Sequence, residues 1–140
     1  MREKLEKSCD AIEECYEFML AYAAQGLSGD EGTQSGGQLR GYLTRAASAV
    51  AELADTFTAL VKQDGLQPAE KYHRFISVLE RDAQNALAAI ELVMSQPSLS
   101  SQLIDNLNAS IHVRALLTDL FLIDEIAKPK RIPPASVTAP

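Results

Sequence analysis

The sequence has no tryptophan, two cysteines, two histidines, and 13 basic residues against 19 acidic ones. Each shortage narrows the function. Cys9 and Cys15 sit six residues apart in a stretch that reads as helix. That spacing separates them by about 9 Å of rise and roughly 120° of rotation, too far for an intramolecular disulfide. Two unpaired thiols with no framework point to a reducing, cytoplasmic setting, where they serve as small apolar residues. The net charge of −6 argues against nucleic acid or an anionic membrane as partner, since both want a basic face. There is no run of 18 apolar residues and no charged-then-apolar leader, so neither a membrane span nor a secretory signal is expected. No alternating strand pattern bounded by turns appears either.

What is present is helical periodicity. The 140 residues, 46% of them hydrophobic, suit one globular domain. Apolar positions alternate four and three apart in a first segment from Arg2 to Gln25 (Leu5, Cys9, Ile12, Tyr16, Met19, Ala23). They do so again in a second, from Gln38 to Gln63 (Leu39, Leu43, Ala46, Val50, Leu53, Phe57, Leu60). A third segment begins at Pro68, with Tyr72, Phe75, Ile76, Leu79, Ala83, Ala86, Ile90 and Met94 along its face. Ser95-Gln96-Pro97-Ser98 breaks it, and a fourth runs from about Ser98 to Lys128. Between the first two lies Gly26–Gly37, holding five of the seven glycines, a density that predicts a mobile connection dispensable for folding. The expected fold is all-α: an antiparallel four-helix bundle over 1–128 and a flexible, disordered Pro-rich tail over 129–140, where four of the six prolines fall.

The fourth segment carries the functional signal. From Val113 to Ile123 its apolar residues cover almost the whole circumference, interrupted by two polar lines: Asp105, His112 and Asp119, and Arg114, Thr118 and Glu125. A helix apolar on two faces must be covered on two faces. One face meets the bundle; the other needs a second copy, a different partner or one of the chain's own segments, unless the helix sits centrally and the other three cover it. The candidate interface is Val113, Arg114, Leu116, Leu117, Asp119, Leu120, Phe121 and Ile123. Arg114 and Asp119 project about 140° apart, so each needs its own partner if buried. Acids of the first two segments (Glu13, Glu14, Glu17, Glu52, Asp55) suit Arg114; Arg40, Arg45 or His73 suits Asp119.

Chemistry is sparse. Carboxylate-bridged metal bundles use two Glu-x-x-His motifs; here Glu70-x-x-His73 is the one example, and His112 has Ala109 where the acid would be. The Gly-rich stretch has no lysine and carries Asp30 and Glu31, which repel phosphate. No G-x-S-x-G or H-E-x-x-H occurs, and Asn108-Ala109-Ser110 is a chance sequon within a helix. Lys128, Lys130 and Arg131 beside Ile132-Pro133-Pro134 read as a solubilising tail, with a short linear motif as the alternative. The expectation is therefore a non-enzymatic protein-interaction module (an assembly factor, chaperone or adaptor, or accessory subunit) that is a homo-oligomer or binds another protein. It has no catalytic residue, no metal and no cofactor. The alternative is a ligand- or metal-binding bundle built on Glu70, His73 and His112.

Overall fold

The computed structural model describes residues 2–127; the tail from 128 onwards lies outside the described residues. Five helices and no strand make up the described chain: α1 (Arg2–Ala24), α2 (Gln34–Asp64), α3 (Ala69–Met94), α4 (Ser101–Ala109) and α5 (Ile111–Ala127). α1 packs on α2, α2 on α3, α3 on α5 and α1 on α4, so one hydrophobic core runs through all five.

The second segment is buried as its periodicity predicts: Leu39, Leu43, Ala46, Val50, Leu53, Phe57 and Leu60 all lie in the core. Gly65 ends α2 in the left-handed conformation (φ 57°), its N–H returning to Lys62 and Val61 carbonyls. In α1 the seam drifts by one position from its middle onward, where Cys15 and Tyr22 are buried while the expected Tyr16 and Ala23 are half-buried. Pro68 is the N-cap of α3, one residue outside the helix.

Two expectations about the elements are corrected. The fourth segment is two helices, not one. Ser110 leaves the helical conformation (φ −63°, ψ 146°) and caps α5, its Oγ accepting from Val113 N–H at 3.3 Å. The glycine-rich stretch is likewise not a 12-residue open loop. Thr33 Oγ1 accepts from Gly36 N–H at 2.9 Å, so α2 starts at Gln34 and takes Gly36 and Gly37 into its first turn. Gly36 is there because a Cβ would sit 2.2 Å from the Asp30 carbonyl oxygen.

The remaining connection is bonded down rather than loose. Asp30, 8% exposed, accepts from Arg40 Nε at 2.6 Å and from Leu99 N–H at 2.7 Å. The same guanidinium donates to the Met94 and Gln96 carbonyls at the end of α3, both at 3.2 Å, satisfying groups the helix leaves open. Ser101 bonds Leu27 in both directions: its N–H donates to the Leu27 carbonyl and its Oγ accepts from the Leu27 N–H, both at 2.8 Å. Its hydroxyl donates to Tyr22 O, and the Tyr22 hydroxyl donates to Leu99 O, both at 2.6 Å. These bonds join the α1–α2 connection to the α3–α4 connection at one end of the molecule.

Candidate interaction surface

α5 resolves the two-faced pattern into an inner and an outer side. Val113, Leu116, Leu117, Leu120 and Ile123 are buried in the chain's own core, and Asp119 is buried with them at 6% exposure. Of the eight residues expected at an interface, Arg114 and Phe121 alone are exposed. The outward apolar residues are Phe121 (57% exposed), Leu122 (49%), Ile126 (50%) and, at the helix start, Ile111 (75%). Ile111, Ala115, Leu122 and Ile126 fall within about 60° of one another on a helical projection. Leu122, Ile126 and Ile111 were present in the apolar pattern but not separable from it, because a helix apolar all round does not say which side turns inward.

The outward row continues onto α3. Ile126 and Ile123 form, with Phe57, Tyr72, Phe75 and Lys71, an almost wholly apolar groove of about 250 Å³. Phe75 and the exposed Val78 extend it along α3 beside Lys71 and Arg74. Residues 72–75 face 123–126, and Asp82 faces Asp119, so the two helices run antiparallel.

The polar lines separate accordingly. Arg114, Thr118 and Glu125 face outward among the apolar residues, and the Thr118 hydroxyl donates to the Arg114 carbonyl at 2.9 Å. The line of sevens is broken at Ser110: Asp105 and His112 are exposed, whereas Asp119 is buried. The charged neighbour of Asp119 is not a cation from Arg40, Arg45 or His73 but another acid, Asp82 of α3. Burial first, and then the neighbouring Asp82 carboxyl, push the Asp119 carboxyl up to about 7.

The groups weighed for chemistry are not brought together. Glu70, His73 and His112 are all exposed. With Asp82 opposite Asp119 in antiparallel helices, His73 and His112 lie roughly 24 Å apart along the axis. Among the described residues no cluster of three His, Cys, Asp or Glu side chains has the arrangement to hold a metal ion. Cys9 and Cys15 are buried free thiols, each pushed up to about 12, chiefly by burial. At neutral pH they are protonated and poor nucleophiles. A more polar cleft of about 530 Å³ lies where α1 meets α4, lined by Leu20, Ala23, Ala24, Gly26, Leu27, Ser101, Gln102 and Asp105. No described helix is long and apolar enough to cross a membrane. No protein-family model matches the chain, and no curated protein or solved structure matches it either.

Proposed function

We infer that this chain is a non-enzymatic helical interaction module that associates with a second copy of itself through the outer face of α5 and the adjoining edge of α3. The observation that carries the reading is the row of large apolar side chains left exposed on α5, Leu122 and Ile126 with Ile111 at its start, while the exposed Phe121 stands across the polar line of Arg114, Thr118 and Glu125. Monomers seldom leave contiguous apolar patches beyond a few hundred Å² open to water. Covering what each of these side chains still exposes is worth on the order of 1 kcal/mol apiece. A two-fold pairing of α5 on α5 would cover both copies at once, since each patch then meets its own image. The same reading takes the molecule as a four-position antiparallel bundle with α4 and α5 sharing the fourth position. It assigns the chain to a reducing cytoplasmic setting, which suits two free buried thiols. An assembly or adaptor role follows from this type of surface; the metal-binding alternative draws no support from Glu70, His73 and His112 standing apart.

Light scattering across a micromolar dilution series tests the reading. A mass above 15.2 kDa that falls on dilution is expected. A constant 15.2 kDa species throughout would refute self-association.

A further inference from the structure

Asp119 lies in the middle of α5 at 6% exposure, and its Oδ2 has no hydrogen-bond partner among the described residues. The group facing it across the seam is the carboxyl of Asp82 on α3, within hydrogen-bonding reach of Asp119. Among the described residues, no charged group of α1 or α4, the other two elements packed on α5, acts on it. Arg114 on the same helix projects about 140° away and is exposed. Two carboxyls meeting between packed helices without a cation can be bonded only if one keeps its proton: an ionised pair has four acceptor oxygens and no donor.

We propose that this pair is a proton-operated clasp on the α3–α5 seam, in which protonated Asp119 donates to Asp82 and helps hold α5 against α3, and loss of that proton makes α5 open from the bundle more often. The inference is independent of what the outer face of α5 binds. Its direction follows from linkage. The unfolded side chain releases its proton near 3.8, the folded one only near 7. Folding therefore takes up a proton between these values. The clasp is fully present below about pH 4 and is lost as pH rises to neutrality. Opening of α5 exposes Leu116, Leu120 and Ile123, so the device couples proton concentration to the availability of apolar surface.

Two measurements on the full chain decide it. Carbon-detected NMR titration of the aspartate carboxyls reads the proton directly: a midpoint near neutrality is expected for Asp119, and a midpoint below about 5 would overturn the proposal. Amide exchange of α5, corrected for intrinsic exchange, reads the consequence. From pH 5 to pH 8 the opening constant of wild type should rise at least about tenfold. Asp119→Asn keeps a donor for Asp82 and has nothing to titrate, so its rise should be less than about threefold. A wild-type profile without a rise, or an Asp119→Asn profile as steep as wild type, would overturn the clasp.

Discussion

Two buried aspartates have shifted carboxyls, and their contributions to stability change with pH in opposite directions. Asp30 accepts from the Arg40 guanidinium, the larger influence, and from the Leu99 N–H, and these hold its carboxyl below the usual range. The stability it supplies is present above the ordinary aspartate pKa and is lost as pH falls through the folded value. Asp119 has the reverse sign, as argued above. Thermal unfolding from pH 2 to pH 9 should therefore show an optimum on the acid side of neutrality. Asp119→Asn should remove the decline toward neutral pH while leaving the acid limb in place. At the other end of the network, Tyr22→Phe deletes the donor to the Leu99 carbonyl, which stays buried with Leu99 fully enclosed. The expected loss is about 1–2 kcal/mol in urea unfolding. An unchanged midpoint would mean that the hydroxyl contributes nothing to the joint between the two connections.

At the scale of elements, the glycines at the start of α2 make a paired test. Gly37 is a helical glycine with open space around it, so Gly37→Ala should stabilise by about 0.5–1 kcal/mol. Gly36→Ala offers the same helix propensity but places a methyl against backbone, 2.2 Å from Asp30 O. It should destabilise, and urea midpoints moving in opposite directions would confirm the packed turn. Ser110→Ala should cost about 1 kcal/mol by removing the cap of α5.

How far the sequence disclosed these elements depends on where their partners lie. The seam of α2 is legible because its buried positions recur within one helix. The break at Ser110 is not, since apolar positions continue across it from Leu107 to Val113 and a lone serine is tolerated within helices. The order of the glycine-rich connection is even less visible. Asp30 is fixed by Leu99, 69 residues away, and Leu27 by Ser101, 74 residues away, and no local pattern announces such pairings. The choice of inner face on α5 is hidden for another reason. Leu120 and Leu122 are chemically the same side chain, and only the packing of α3 and α1 separates the buried one from the exposed one.

At the scale of the whole molecule, the two ends of the structure differ in kind. At one end, Asp30, Arg40, Tyr22 and Ser101 bind the connections together by directional polar bonds. Toward the other, the α3–α5 seam depends on apolar packing and a carboxyl pair, and its outer edge is the apolar surface of Leu122 and Ile126. The proposed association thus draws on the less rigidly bonded part of the fold. Charge opposes it, since two copies each carrying −6 repel, and added salt should tighten the association by screening that repulsion. The most direct test is sedimentation velocity at micromolar concentration on wild type and on the double variant Leu122→Glu with Ile126→Glu. Both side chains are half-exposed, so the variant should keep its helix content. Self-association places wild type at twice 15.2 kDa or more and the variant at 15.2 kDa. Wild type sedimenting as a 15.2 kDa monomer, or a folded double variant with the wild-type mass, would contradict it.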